Sequence, residues 1–142
     1  MMSSQQMSIN EVCCIYATAP FVTADDLRQG GDILRQRDTP YVFSIASYPF
    51  PIQRAIRLNH EGQVSMFQSE HFSTRSQDLE EAYHDAGQFY WGKASAWLAE
   101  TPFFSSNSVG IVLPRHRVQD IDTPEDWLRA EWMFKAMNTL ES

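Results

Sequence analysis

The chain has 142 residues, of which 43% are hydrophobic and 13% aromatic. This is enough apolar material for one core but too little length for two, so we predict a single domain over residues 1–142. The net charge of −7 argues against a nucleic-acid partner, since phosphates are held by clustered cations. No stretch is apolar for the roughly 18 residues of a membrane span, and a signal-peptide pattern is absent at the start, so a cytoplasmic protein is expected.

Apolar, β-favouring runs alternate with helical patterns in the first half. Residues 12–16 are apolar and end in a Thr-Ala-Pro turn, which indicates a buried strand. Thr23 and Asp26 form a capping-box pattern for a following helix. Residues 41–47 form a second strand pattern, which ends before Pro49 because proline cannot donate into a sheet ladder. Strand, helix and strand in succession predict a parallel pair of strands.

The second half continues the alternation. The polar stretch 59–77 contains an Asn-His-Glu-Gly turn and predicts a hairpin or excursion. Further strands are predicted at 86–91 and 109–113, with a short helix at 94–99 between them. Thr123 is expected to cap a last helix. Its apolar residues recur at helical spacing and predict a core-packing face. They are Trp127, Ala130, Phe134 and Met137.

Asp120 and Asp122 are the sharpest chemical signal in the sequence. If their segment is extended, residues two apart point the same way, and the two carboxylates can meet one cation. Magnesium fits best, because it bridges one or two carboxylates to phosphates. The spacing alone leaves open a second interpretation, in which Asp122 is part of a helix-entry turn and Asp120 is a solvated loop residue.

Other candidate residues are aromatic or cationic. Phe103 and Phe104 lie in a loop, where they could wall a small pocket or pack in the core. Arg54 and Arg75 lie near aromatic or proline-rich loops, where they could hold an acidic ligand or be solvated. Gly30 and its neighbour lie in a helical pattern without the lysine and hydroxyl of a phosphate loop.

Five separated motifs resemble the acylneuraminate cytidylyltransferase family over most of the chain. They are Ile-Tyr-Ala-Thr-Ala-Pro at 15–20, Gln-Asp-Leu at 77–79, the run 83–91, Pro-Phe-Phe at 102–104, and Gln-Asp-Ile-Asp-Thr-Pro-Glu-Asp-Trp at 119–127. Three stretches are most similar to the branch of that family that acts on pseudaminic acid. They are Ala-Thr-Ala-Pro-Phe at 17–21, Tyr-Pro-Phe-Pro-Ile-Gln-Arg at 48–54, and Tyr-His-Asp-Ala-Gly-Gln-Phe-Tyr-Trp at 83–91.

The resemblance implies a Rossmann-like α/β nucleotide-diphospho-sugar transferase fold, with three layers around a mostly parallel sheet that is incomplete at the N-terminus. It implies an enzyme that transfers CMP from CTP to a nine-carbon sugar acid, releasing pyrophosphate. The product would be CMP-pseudaminic acid, used in cell-surface or flagellar glycosylation. The resemblance also implies Mg2+ as cofactor and a homodimer of the full-length form.

The resemblance also assigns roles to residues. The catalytic, magnesium-binding aspartates of the family match Asp120 and Asp122. Its sugar-contacting tyrosine matches Tyr90, and its aromatic pocket pair matches Phe103 and Phe104. These five positions match the family's motifs, and Tyr16, Arg54 and Arg75 complete the predicted site.

The sequence also departs from the sialic-acid enzymes of the family. Tyr16 stands where those enzymes have a sugar-binding glutamine, which favours a sialic-acid cousin as substrate. Arg54 stands near the place of their sugar-binding lysine and is expected to hold the carboxylate, with Arg75 as a further binding candidate. The family's opening strand and basic CTP loop have no counterpart before Glu11, so a truncated chain with little activity by itself is expected.

Two other functions stay open. The first is a non-catalytic remnant that serves sugar binding or dimerisation. The second is a glycosyltransferase that uses Asp120-Ile121-Asp122 as its metal motif, a pattern that unrelated enzymes share.

Overall fold

A computed structural model of the protein describes residues 8–140, which contain six strands and three α-helices. The strands are Glu11–Ile15 (β1), Tyr41–Ser47 (β2), Ile56–Leu58 (β3), Val64–Met66 (β4), Tyr83–Lys93 (β5) and Val109–Val112 (β6). The helices are Ala24–Gln36 (α1), Ala94–Leu98 (α2) and Pro124–Leu140 (α3). The predicted α/β class is confirmed.

The main sheet has the strand order β1-β5-β2-β6. Strand β5 is antiparallel to both β1 and β2, whereas β2 and β6 are parallel. The sheet is therefore mixed rather than mostly parallel. Strands β1 and β2 run in the same direction, as predicted, but β5 lies between them.

The excursion between β2 and β5 explains this arrangement. The backbone N–H of Tyr48, just after β2, donates to the carbonyl of Ala82, just before β5, over 3.0 Å. The chain thus leaves and re-enters the sheet at one edge, and β5 must run back against β2. Between these points, β3 and β4 pair as the predicted hairpin. Asn59 holds its turn by accepting from the N–H groups of Glu61 and Gln63.

Helix α1 packs on one face of the sheet. Thr23 caps it as predicted, because its hydroxyl accepts from the N–H of Asp26 over 3.2 Å. Gly30 allows close packing, since a Cβ there would lie 2.6 Å from the Trp91 ring. The buried residues of this core are Leu34, Val42, Ala46, Ala86, Phe89, Ile111 and Leu113.

The opposite face has a second core, because successive strand residues point to opposite sides. Tyr41 and Phe43 of β2 and Tyr90 of β5 pack here against Ala96 of α2 and against Phe103. Side chains therefore pack on both faces of the sheet.

The predicted core-packing face of α3 is wrong at two of its four residues, since Met137 is half-buried. The Thr123 cap is present, with its hydroxyl accepting from the N–H of Asp126 over 3.2 Å. Ala130 is buried, but Trp127 and Phe134 are 60% and 55% exposed. Periodicity shows that one side of a helix is apolar and does not show what covers that side.

Among the described residues, no helix is long and apolar enough to cross a membrane.

An ion pair joins α1 to the segment before Asp120. Arg117 donates to both carboxylate oxygens of Asp26, over 2.6 and 3.2 Å. The two side chains are 22% and 11% exposed, so solvent screens this pair little. Arg28 and Asp25, by contrast, form an ion pair with side chains 72% and 90% exposed. The buried pair fixes the position of the chain that leads into the acidic segment.

Arg117→Ala is expected to lower the free energy of unfolding by about 2 kcal/mol, because it leaves the Asp26 carboxylate buried without its partner. Arg28→Ala is the matched control and should cost less than about 0.5 kcal/mol. Urea denaturation measures both. Equal losses in the two variants would contradict the structural role of the buried pair.

The same pair predicts a pH dependence. Burial raises the pKa of Asp26, but hydrogen bonds from Arg117 and Thr23 outweigh it, so the pKa lies below the ordinary value. A lowered folded-state pKa gives stability that is complete above about pH 4 and is lost as the pH falls through the folded-state pKa. The stability gap between wild type and Arg117→Ala should therefore narrow below about pH 4. A gap that stays constant down to acid unfolding would refute this.

Candidate functional site

Four of the predicted site residues lie together on the face opposite α1. Tyr90, in the middle of β5, has its ring centroid 5.2 Å from that of Tyr16 and 5.1 Å from that of Phe103. Phe43 lies 5.8 Å from both Tyr90 and Phe104. Four separate segments of the chain thus build one aromatic surface, which we call the aromatic face and define by these five residues. Such a surface suits the apolar side of a small ligand.

The members of the aromatic face differ in their accessibility. Tyr90 is only 4% exposed, whereas Tyr16 and Phe104 are 46% and 77% exposed. A ligand resting on this face therefore meets Tyr16 and Phe104 first. Tyr90 forms the layer beneath them.

The Tyr90 hydroxyl is directed to a carboxylate that the sequence interpretation did not include. It donates to Oδ2 of Asp85, which is exposed at the start of β5. Burial raises the pKa of Tyr90, and the hydrogen bonds to Asp85 and Tyr16 raise it further. Tyr90 therefore stays protonated at neutral pH and acts as a hydrogen-bond donor.

A bulge in β5 makes this contact possible. Between Phe43 and Ile45 the register of β2 against β5 shifts, so that Phe43 pairs with Tyr90 but Ile45 pairs with Asp85. The buried Ser44 hydroxyl accepts from the N–H groups of Gln88 and Phe89, each over 3.3 Å, and so replaces the missing ladder bonds. The bulge sets the side chain of Asp85 beside that of Tyr90.

Gly87 supplies the backbone conformation of the bulge. Its φ is +62°, in the region that glycine adopts without strain. Its N–H donates to Oδ1 of Asp85 over 2.9 Å. Both oxygens of the Asp85 carboxylate are therefore held by β5 itself.

The acidic segment lies beyond β6. Gln119 is buried, and its Nε2 donates to the Asp120 carbonyl over 2.7 Å. The Asp120 carboxylate accepts the N–H of Ile121 over 3.1 Å, and the N–H of Asp122 donates to Asp126. Within residues 8–140, neither the Asp120 nor the Asp122 carboxylate has an ion-pair partner. Both side chains are thus free to meet a cation.

These two carboxylates supply oxygen ligands of the kind that magnesium takes, and magnesium at Asp120 and Asp122 stays a prediction. In the described part of the chain, no three His, Cys, Asp or Glu side chains converge on one point. An ion at Asp120 and Asp122 would therefore draw its other ligands from water and from a bound phosphate. Magnesium is usually coordinated in this way, since it keeps several water ligands and takes one or two carboxylates.

The topology brings these elements to one edge of the sheet. Strands β1, β2 and β6 run in one direction, so their carboxyl ends meet at the edge where β5 begins. Tyr16 donates its N–H to Gln88 over 2.9 Å, and the Gln88 side chain donates to the carbonyl of Arg117 over 2.5 Å. The segment before Asp120 is thus attached to the bulge. Ligands of α/β proteins bind at this edge.

The two predicted cations lie in the excursion between β2 and β5. Arg54 donates to the Ser76 hydroxyl and the Phe72 carbonyl, over 3.4 and 3.3 Å, and lines an open cleft of about 560 Å³. Arg75 is bound to Asp78 over 2.8 Å, in an exposed ion pair. Their hydrogen bonds go to other residues of the excursion and to none of the five residues of the aromatic face. Their predicted roles in binding stay predictions.

Comparison with known proteins identifies the relatives of this chain. No protein-family model matches it. A protein named pseudaminic acid cytidylyltransferase, from Campylobacter jejuni serotype O:2, is 44% identical over 134 residues, which cover 94% of this chain and 58% of that protein. The chain is a relative of pseudaminic acid cytidylyltransferases. The protein of the same name from C. jejuni serotype O:23/36 is 43% identical, with the same coverage.

A Helicobacter pylori protein is a third relative. It is named pseudaminic acid cytidylyltransferase and UDP-2,4-diacetamido-2,4,6-trideoxy-beta-L-altropyranose hydrolase, and is 37% identical over 110 residues, 77% of this chain and 21% of that protein. The resemblance found in the sequence is thereby confirmed, and the relatives are nucleotidyltransferases by name. The chain spans just under three fifths of the C. jejuni relatives.

The burial of Tyr90 predicts that its pKa lies above that of an ordinary tyrosine. With tyrosine ring carbons isotopically labelled, NMR should show Tyr90 still protonated near pH 10, where an ordinary tyrosine is about half ionised. Asp85→Asn should lower this pKa without restoring the ordinary value, because burial is the largest cause of the shift. An ordinary pKa for Tyr90 in the wild type would contradict the packing of the aromatic face.

Proposed function

We propose that this chain provides the sugar-binding and metal-binding parts of a cytidylyltransferase that transfers CMP from CTP to a nonulosonic acid, giving a CMP-sugar and pyrophosphate. The nine-carbon sugar acid is pseudaminic acid, the sugar in the names of the relatives. The observation that supports this most is the assembly of Tyr16, Tyr90, Phe103 and Phe104 on one face, in a chain 44% identical to a cytidylyltransferase.

The aromatic face is proposed to hold the sugar acid. Exposed Tyr16 and Phe104 offer apolar surface to ring carbons and acyl methyl groups, while the polar groups of the sugar remain open to hydrogen bonds. Arg54 is proposed to neutralise the sugar carboxylate, because its two hydrogen bonds go to neutral groups and its charge is not cancelled by a carboxylate among residues 8–140. Arg75, already paired with Asp78, is the weaker candidate for this role.

Asp120 and Asp122 are proposed to hold Mg2+. When bound, the ion would neutralise the triphosphate and help to align it for in-line attack. The two carboxylates supply hard oxygen ligands, and the buried Gln119 fixes the backbone that precedes them. The sugar hydroxyl would then attack the α-phosphorus, and pyrophosphate would leave. Most of the catalysis in such a reaction comes from positioning and charge.

We propose that the chain alone turns over slowly. Its six glycines lie in α1, in the β3–β4 turn, and in strands β5 and β6. None of these positions is a glycine-rich loop that could cradle phosphates on backbone N–H groups. Homodimer formation, a cytoplasmic location and a role in flagellar glycosylation stay predictions.

Pyrophosphate release from CTP and pseudaminic acid with Mg2+ tests the proposed reaction. Two forms are compared: the chain itself, and a joined form in which the chain is fused to the residues of the C. jejuni O:2 relative that the match does not cover. We expect release by the joined form and little by the chain alone. In the joined form, Asp120→Asn or Asp122→Asn should reduce turnover by at least about 100-fold, since losing even an outer partner of a metal ligand costs 10–100-fold.

Asp32→Asn is the matched control, because it removes an exposed carboxylate of α1 that pairs with Arg35 on the other side of the sheet. It should leave turnover unchanged. If a folded joined form releases no pyrophosphate but binds pseudaminic acid, the proposed reaction is wrong and the sugar-binding module is the better interpretation. If the aspartate variants stay active, the proposed metal site is wrong.

A further inference from the structure

Asp85 has no role in the function proposed above, yet it is fixed beside the aromatic face. Its Oδ1 accepts from the N–H of Gly87 over 2.9 Å, and its Oδ2 accepts from the hydroxyl of Tyr90. Each carboxylate oxygen can accept more than one hydrogen bond, so both retain capacity for a ligand. The carboxylate is thus held in one orientation while it remains open to solvent.

A ligand on the aromatic face would meet the exposed Asp85, because Tyr90 beside it is buried. Tyr90 is 4% exposed, and its hydroxyl hydrogen is directed to Asp85. Ile45, which pairs with Asp85 across the strands, packs against the same core. Asp85 therefore lies on the face that Tyr16 and Phe104 line, and it is the group through which the Tyr90 hydroxyl reaches the surface.

The chemistry of this position is that of an acceptor. Within residues 8–140, the Asp85 carboxylate has no cationic partner, and the ring nitrogen of neighbouring His84 bonds to the Asp85 backbone carbonyl instead. A carboxylate that has already taken its internal donors binds further O–H or N–H groups and repels anions. Asp85 therefore cannot bind a carboxylate or phosphate group of a ligand.

We propose that Asp85 is a specificity-determining residue, which accepts hydrogen bonds from a hydroxyl or amide N–H of the sugar acid and keeps the sugar carboxylate away from the aromatic face. Tyr90 is the positioning residue that holds it. This inference rests on the proposed function only in taking the ligand to be a sugar acid. It fixes the orientation of that ligand, with its donors over Asp85 and its negative groups toward the cations.

The test uses the joined form described above and compares Asp85→Asn with Asp85→Glu. Asp85→Asn keeps the size of the side chain but adds a donor and removes the charge. We expect the KM for pseudaminic acid to rise about tenfold, the order that one charged hydrogen bond supplies, with the KM for CTP unchanged. Asp85→Glu restores the carboxylate, so its KM for pseudaminic acid should lie between those of wild type and Asp85→Asn.

Asp38→Asn is the matched control, since Asp38 is an exposed carboxylate paired with Lys93 at the far end of β5. It should leave both KM values unchanged. If wild type turns over and Asp85→Asn has the wild-type KM for the sugar, the inference is overturned while the proposed function stands. A rise of both KM values together, in step with a lower Tm, would assign Asp85 a structural role instead and would also overturn it. A folded wild-type joined form that neither turns over nor binds pseudaminic acid would overturn the proposed function, and with it this inference.

Discussion

Strand β5 determines most of the architecture, because it runs antiparallel between β1 and β2. Phe89 and Trp91 point to the face where α1 packs, and Tyr90 between them points to the aromatic face. The positive φ of Gly87 gives the bulge in the same strand its backbone conformation. The Ser44 hydroxyl accepts hydrogen bonds from two N–H groups of the bulge. One strand thus joins the core to the candidate site, and changes in its register would move both.

The local structure could be predicted from the sequence where short-range chemistry decides it. The caps at Thr23 and Thr123 follow from a hydroxyl and a carboxylate three residues apart, and both are present. Residues 41–47 form a strand as predicted. Strand order could not be predicted, since it depends on where the excursion from 48 to 82 returns. The exposure of Trp127 on α3 could not be predicted either, because periodicity does not identify the covering surface.

The candidate site shows the same division. Tyr16, Tyr90, Phe103 and Phe104 were predicted from a resemblance, and the structure brings them together. Asp85 was missed, because a carboxylate near the start of a strand gives no signal by itself. The available signal was Gly87 within a β pattern, since an isolated glycine in a strand often marks a bulge. A bulge re-aims the side chains next to it, and here it directs Asp85 toward a tyrosine five residues later.

Charge explains how an acidic protein could bind acidic ligands. The net charge is −7, and Asp85, Asp120 and Asp122 all belong to the segments that meet at the carboxyl edge of the sheet. Asp120 and Asp122 have no protein cation as partner within residues 8–140, so a divalent ion bound to them would make this position attractive for phosphates. Asp85 is held by two neutral donors, the N–H of Gly87 and the hydroxyl of Tyr90. An anionic sugar acid can therefore be oriented by repulsion at one point and by attraction at another, which a uniformly basic site could not do.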